Sequence, residues 1–142
     1  MRPVLRGALL GAGLILLVSL AGALVDRAVD DFDDSAWPVT IFLGILVAYL
    51  AAGWGAGRQA VGSPLTNGAL AGLGAFAVWV PVRTVIWAVR DDSRGLVAGD
   101  DAVFSLGGVF ANLVFAAALG MVGALLGARQ ARSGLADGAS PS

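Results

Sequence analysis

The residues of this chain that could do chemistry are few, because four reactive residue types are absent. The 142-residue sequence contains no His, Cys, Glu or Lys, so all nine cations are Arg and all ten acids are Asp. A cysteine nucleophile, a disulfide, a thiolate metal site and a histidine base are therefore excluded. No pair of Asp residues falls inside an apolar segment, where it could do acid–base work. We predict that the protein is not an enzyme and has no cofactor.

The acids gather in two short polar segments, residues 30–34 and 91–101, with four Asp in each. Clustered carboxylates suit Ca²⁺ or Mg²⁺, which prefer oxygen ligands. The segments lack the glycine and the terminal Glu of an EF-hand loop. The sequence therefore favours a solvated acidic surface and no metal site, and cation binding is the alternative.

Two of the polar residues within the apolar segments, Asn112 and Arg83, are candidates for a polar or pore site. Asn112 would lie near the middle of its segment, where an interhelical hydrogen bond is the simpler interpretation. Arg83 follows Pro81 and could contact an anion, or extend its guanidinium to the membrane interface.

Four apolar segments must position these residues. The chain is 58% hydrophobic and 13% charged, whereas soluble domains carry about 25% charged residues. About twenty helical residues cross a bilayer core. We therefore predict an all-α integral membrane four-helix bundle in residues 1–128 and a disordered cytoplasmic tail at 129–142. The predicted spans are 4–25, 38–57, 65–88 and 102–127. A cleavable signal peptide is the alternative interpretation of the first.

The segments repeat as two tandem transmembrane hairpins, which indicates duplication. Residues 7–13 resemble 68–74 at an offset of 61, and the Arg-Gln pair at 58–59 recurs at 129–130, an offset of 71. If both copies begin on the same side, a pseudo-two-fold axis along the membrane normal relates them. Each span also carries two glycines four residues apart, which let helices approach closely, and all lie toward one end of the bundle. These helix-packing candidates are Gly7, Gly11, Gly53, Gly57, Gly68, Gly72, Gly123 and Gly127.

Arginine placement predicts the orientation. Arg2, Arg6, Arg58, Arg129 and Arg132 fall on one side of the bilayer, and cytoplasmic loops carry an excess of Arg. We predict a multi-pass protein of the plasma (inner) membrane with both termini in the cytoplasm. Arg58, Arg129 and Arg132 would be inner-surface anchors on the lipid bilayer. A net charge of −1 gives no reason to expect nucleic acid as a partner.

The turn Gly53-Trp54-Gly55-Ala56-Gly57-Arg58, followed by Asn67-Gly68-Ala69-Leu70-Ala71-Gly72, resembles a pattern of small, uncharacterised four-span membrane proteins of GC-rich bacteria such as actinobacteria. The resemblance implies an integral membrane protein and supplies no functional residues. Length and span count are similar to those of small fluoride channels and multidrug exporters. The exporters' membrane-embedded Glu and the channels' third-span break are absent.

We predict a non-enzymatic membrane protein with an accessory, scaffold or self-associating role, as a homo-oligomer or with another membrane protein. The alternative is a small oligomeric ion or solute channel or transporter with Asn112 and Arg83 along its path.

Overall fold

The fold is all-α, as the sequence predicts. The computed structural model describes residues 2–59, 62–90, 95–97 and 102–137, without the side chains of Asp33, Arg90 and residues 134–137. Within these residues there is no strand. The four long helices are α1 (Arg2–Ala28), α2 (Trp37–Gly57), α3 (Pro64–Arg90) and α4 (Leu106–Asp137), with a 3₁₀ turn at Phe32–Asp34 between α1 and α2.

All four helices are long and apolar enough to cross a membrane. Their packing agrees, because small residues face inward and large apolar residues face outward. Among the described residues, eight of the twelve buried hydrophobic residues are alanines, while Leu9, Leu17 and Phe110 are more than 60% exposed. In a membrane, helices associate through small residues, and lipid covers the large ones. The chain is therefore a multi-pass membrane protein.

The helix boundaries differ from the predicted spans at α4. The span predicted at 102–127 begins four residues later, because Phe104 packs against Trp79 and Ser105 caps the helix. The Ser105 hydroxyl accepts a hydrogen bond from the Gly108 amide at 3.2 Å. At its other end α4 continues to Asp137, so the predicted disordered tail is helical over 129–137. Residues 138–142 lie outside the described part.

The two hairpins lie side by side. Helix α2 packs against all three other helices and α3 also contacts all three, whereas α1 and α4 have no comparable contact within the described residues. A two-fold axis along the membrane normal would make α1 pack on α4 as closely as α2 packs on α3. The predicted axis is therefore wrong, and the second hairpin is a sideways-displaced copy of the first.

Each hairpin is held by the same contact between its two helices. Gly7 and Gly11 face Ala48, Ala52 and Ala56. In the second hairpin, Gly68 and Gly72 face Ala116, Gly120 and Ala124. At each of these four glycines an added Cβ would come within 3.0 Å of the facing helix. The repeat in the sequence is therefore matched by the same contact in both hairpins.

The packing corrects the register of the repeat. Ala48 corresponds to Ala116 and Ala52 to Gly120, an offset of 68 residues, whereas the Arg-Gln pairs give 71. Arg129 therefore lies three residues further along α4 than the position that corresponds to Arg58 in the helix packing. Three residues of helix are about 4.5 Å long at 1.5 Å per residue. The helix contacts and the arginine positions therefore follow different offsets.

A second glycine interface joins the hairpins and is reciprocal. A Cβ on Gly53 would meet the carbonyl of Gly120, and one on Gly123 would meet that of Leu50. One helical turn on, Gly57 faces Ala124, and Gly127 faces Trp54. All eight glycines singled out in the sequence thus lie where two helix backbones approach within one chain.

The outer face of α4 lacks these glycines. At the packing offset of 68, Met121 and Leu125 occupy the positions of Gly53 and Gly57, and both are exposed. Their bulk prevents a close approach like that between α2 and α4. A third hairpin, or a second copy docked in the same way, would not fit there.

Candidate functional site

The bundle has two unlike ends. The turn end carries the start of α1, the α2–α3 turn and the end of α4, and all eight glycine contacts lie toward it. The loop end carries the α1–α2 and α3–α4 connections. There a partly enclosed cavity of about 300 Å³ lies between the helices.

All four helices and both connections line the cavity. Its walls are mainly apolar, and its polar groups include Arg83 from α3, Asn112 from α4 and Ser19 from α1. The apolar lining includes Ala23, Ile41, Ile45, Trp79 and Ile86. The structure thus brings together the two polar residues that the sequence singled out, although they are far apart in the chain.

Arg83 reaches the cavity because it continues the inner face of α3. Ala71, Ala75 and Trp79 recur at intervals of four and are all buried, and residues four apart share a helix face. Arg83 is the next member of this series and is half-buried. Both interpretations of Arg83, contact with an anion and extension of the guanidinium to the membrane interface, stay predictions. Arg83 also makes a contact of its own within the protein.

Trp79 forms one wall of the cavity and is held by two aromatic rings. Phe76 stacks on it with a centroid separation of 5.7 Å, and Phe104 approaches edge-on, also at 5.7 Å. Phe104 belongs to the α3–α4 connection, where the Val103 and Phe104 amides donate to the carbonyls of Gly95 and Leu96 at 3.0 and 2.9 Å. These bonds hold the connection beside the cavity.

Asn112 donates a hydrogen bond within its own helix. Its side-chain amide binds the Gly108 carbonyl at 3.0 Å, which uses one of the two amide hydrogens. The sequence favoured a hydrogen bond from Asn112 to another helix, whereas this hydrogen bond lies within α4. The bond fixes the side chain against the first turns of α4, at the edge of the cavity.

The α1–α2 connection supplies the remaining wall through Phe32. The Ser35 hydroxyl donates to the Phe32 carbonyl at 2.6 Å and accepts from the Trp37 amide at 3.2 Å. Ser35 therefore links the 3₁₀ turn to the start of α2. This arrangement holds Phe32 and Pro38 beside the cavity.

At the turn end, the repeated Arg-Gln motifs bind neighbouring helices through their glutamines. Arg6 donates to the Gln59 side chain at 2.7 Å, and the Trp54 indole donates to the Gln130 side chain at 3.1 Å. Arg58 lies 4.7 Å from the centre of the Trp54 ring, a cation–π distance. The predicted anchors Arg58, Arg129 and Arg132 are all exposed.

The acidic segments provide no cluster within the described residues. Asp30, Asp31 and Asp34 are exposed, and no group of three or more acidic side chains is close enough to hold a metal ion in the part that the structure describes. Residues 91–94 and 98–101, which carry the second cluster, lie outside the described residues.

One buried polar group belongs to neither end. Tyr49 is fully buried among alanines and Ile15, and its hydroxyl has no hydrogen-bond partner within the described part. A buried hydroxyl without a partner costs about 1–3 kcal/mol. The packing of the Tyr49 ring between the helices offsets this cost.

Sequence reasoning did not single out Trp79, Phe104 or Gly120, and it noted the two glutamines only as members of the repeated Arg-Gln pair. The interval of four from Ala71 to Arg83 could have identified Trp79 as an inward residue. The small residues Ala116, Gly120 and Ala124, also four apart, could have identified the glycine. The glutamine contacts bridge 53 and 76 residues of sequence, and nothing local marks them.

These features define a class: a four-helix, multi-pass membrane protein with a glycine-packed turn end and a cavity between the helices at its loop end. Comparison with protein families, with curated proteins and with solved structures finds no match. The resemblance to small four-span bacterial membrane proteins therefore stays a prediction from the sequence pattern.

Proposed function

We propose that this protein is a non-enzymatic membrane subunit that binds a small molecule in the cavity at its loop end. One observation carries the proposal: all four helices converge on a cavity of about 300 Å³ that places Arg83 and Asn112 on mainly apolar walls. Small-molecule sites combine apolar walls with a few placed polar groups and begin at about this size. The absence of His, Cys, Glu and Lys from the sequence supports a binding role over a catalytic one.

The glycine contacts support binding over glycine-mediated self-association. All eight glycines are occupied by contacts within one chain, and the equivalent outer face of α4 carries Met121 and Leu125. An accessory role beside another membrane protein would use the lipid-facing sides of the helices. Gly123→Leu should then unfold the chain itself, and a variant that stays folded but loses only its oligomeric state would support self-association through glycine instead.

The alternative is an oligomeric channel or transporter. The shared cavity of Arg83 and Asn112 favours it, whereas close packing at the turn end opposes a continuous path within one chain. Purified protein in liposomes would show ion or solute flux that Asn112→Ala abolishes without unfolding. If the protein binds a ligand but shows no flux, the channel alternative is rejected and the binding role remains.

We further propose that the turn end faces the cytoplasm of a bacterial cell and that the plasma membrane holds the protein. Five arginines at this end support the orientation. Because the chain has no Cys, Ser63→Cys and Ala36→Cys each create a single thiol, at the turn end and the loop end respectively. A membrane-impermeant maleimide should label only the Ala36 variant on intact cells. Labelling of the Ser63 variant alone would show that the turn end faces outward.

Ligand binding is testable through the fluorescence of Trp79. A brominated ring quenches a tryptophan that it contacts, so 4-bromobenzamide in zwitterionic nanodiscs is a suitable uncharged probe. The part of the quenching that is present in the wild type and absent from Trp79→Phe measures binding of the probe in the cavity. Ala23→Phe fills the cavity and should remove this component. Ala21→Phe, on the exposed side of the same helix, is the matched control and should retain it. Equal quenching in both phenylalanine variants would contradict the proposal.

A further inference from the structure

We infer that the turn end binds an anionic phospholipid in a groove between α2 and α4, with Arg58 as the contact to the lipid phosphate. Three observations support this site: the contacts that hold Arg58, the exposed apolar residues that lead up to it along both helices, and the distribution of charge at this end of the bundle. None of them involves the loop-end cavity, so the site is independent of the proposed function.

Arg58 lies across the contact between α2 and α4. Its guanidinium carbon lies 4.7 Å from the centre of the Trp54 ring, and a Cβ added at Gly127 of α4 would lie 3.2 Å from its Cγ. The Trp54 ring is itself linked to α4, because its indole nitrogen donates to the Gln130 side chain at 3.1 Å. A side chain that is already held in this way loses less rotamer entropy when it binds a ligand.

The Arg58 guanidinium is exposed and keeps its donors for a ligand. It has five N–H donors in a planar fork that fits the oxygens of a phosphate. The contact with Trp54 depends on the field of the ring and uses no hydrogen-bond acceptor. Within the described residues, no oxygen atom accepts a hydrogen bond from the Arg58 side chain. A phosphate oxygen would supply this missing acceptor.

Exposed apolar residues lead up to Arg58 on both helices. On α2, Val47, Trp54 and Arg58 follow one another at intervals of seven and four, so they share a helix face, and Val47 is 60% exposed. On α4, Leu126 lies one turn before Gln130 and is 48% exposed. The hydrogen bond between Trp54 and Gln130 shows that the two faces adjoin. Together they form a groove that is apolar along its length and cationic at its turn end.

The groove matches half a bilayer in length and polarity. Val47 lies eleven residues before Arg58, which is about 16.5 Å along a helix, and half of a bilayer core is about 15 Å thick. Trp54 lies near the cationic end, as expected for an aromatic ring at headgroup level. An acyl chain therefore fits along Val47 and Leu126 while the phosphate reaches Arg58. This match favours a lipid over a partner outside the membrane.

The charge of the turn end favours an anionic lipid over a zwitterionic one. Nine of the ten acids belong to residues 26–34 and 91–101, and the tenth is Asp137. Asp137 ends α4 ten residues beyond the Gly127 contact, about 15 Å along the helix, whereas exposed charges are screened over about 8 Å. The net charge around Arg58 is therefore positive. Five of the nine arginines lie at this end: Arg2, Arg6, Arg58, Arg129 and Arg132.

Native mass spectrometry of the protein in mild detergent tests the site. The probes are phosphatidylglycerol and phosphatidylcholine with identical acyl chains, which share a phosphate and differ in net charge. We expect the first lipid bound to be phosphatidylglycerol with a preference of about fivefold or more, the effect of one arginine near anionic headgroups. Arg58→Gln should remove most of this preference, and Arg58→Lys should keep part of it.

The matched control is Arg132→Gln, which removes the same charge from the outer face of α4. Arg132 lies two turns beyond Leu125 on that face and is exposed, so its loss should leave most of the preference. Equal losses in Arg58→Gln and Arg132→Gln would overturn the inference, because the charge of the whole turn end would then determine the preference. Equal binding of the two lipids to the wild type would also overturn it, and this result requires no variant. Thermal unfolding of each variant establishes that a lost preference is not lost folding.

A final arm tests the apolar part of the groove. Glycerophosphate carries the phosphate without acyl chains, and it is added at the same concentration as the lipid. We expect it to displace little phosphatidylglycerol, because the chains along α2 and α4 supply part of the binding. Displacement as strong as that by phosphatidylglycerol itself would identify a soluble phosphate as the ligand and overturn the assignment to lipid.

Discussion

Replacing Gly11 or Gly13 with alanine should have opposite effects on stability, although both glycines lie in α1. At Gly11 an added Cβ would lie 2.6 Å from the Cβ of Ala52, 2.9 Å from that of Ala75 and 3.0 Å from the carbonyl oxygen of Ala48. At Gly13 it would meet nothing within 4 Å. The same chemical change therefore enters a three-helix contact at one position and open space at the other.

The magnitude follows from these distances. Ordinary contact begins at 3.4 Å, so the neighbours of Gly11 would have to retreat by about 0.4 to 0.8 Å, enough to forfeit a quarter to a half of a dispersion contact. Alanine Cβ atoms and backbone have no rotamer to change, so whole helices must move. Overpacking of this kind costs about 1–3 kcal/mol. Both variants gain about 0.8–1.0 kcal/mol of helix propensity, which cancels when they are compared.

We expect Gly13→Ala to be more stable than wild type by about 0.5–1 kcal/mol, and Gly11→Ala to lie about 1–3 kcal/mol below Gly13→Ala. The free energy of unfolding is measured by titrating SDS into mixed micelles and following tryptophan fluorescence. If the two variants were equally stable, α1 would not pack against α2 and α3 as described, and the close approach at Gly11 would be refuted.

Three further perturbations follow from single contacts. Gln130→Leu removes the partner of the Trp54 indole, so it should cost about 0.5–1.5 kcal/mol, and this cost should disappear in a Trp54→Phe background. Gly62 has a φ of +121°, so Gly62→Ala should be strained by about 1–3 kcal/mol, whereas Gly107→Ala, in equally open space, should not destabilise. Tyr49→Phe removes a buried hydroxyl without a partner and should raise the unfolding free energy by about 1 kcal/mol. A loss of stability there would mean that the hydroxyl binds something within the bundle.

Local pattern was sufficient for the elements of the fold. Four apolar segments of about twenty residues predict four spans, and four glycine pairs predict where helix backbones come close. The ends of the elements were harder to predict. The apolar residues 102–104 are read as the start of a span, yet they form a connection whose Phe104 packs on Trp79. Apolar composition is the same whether a residue faces lipid, a helix or a cavity.

The sequence by itself determined that the protein is helical, apolar and without His, Cys, Glu or Lys, because composition and spacing along one helix are local properties. Only the tertiary structure decided that the second hairpin is a displaced copy, that Arg83 and Asn112 share a cavity, and that the glutamines bridge helices. Each of these depends on the rotation and axial position of one helix against another. They arise from many weak contacts between residues distant in sequence, so no single segment specifies them.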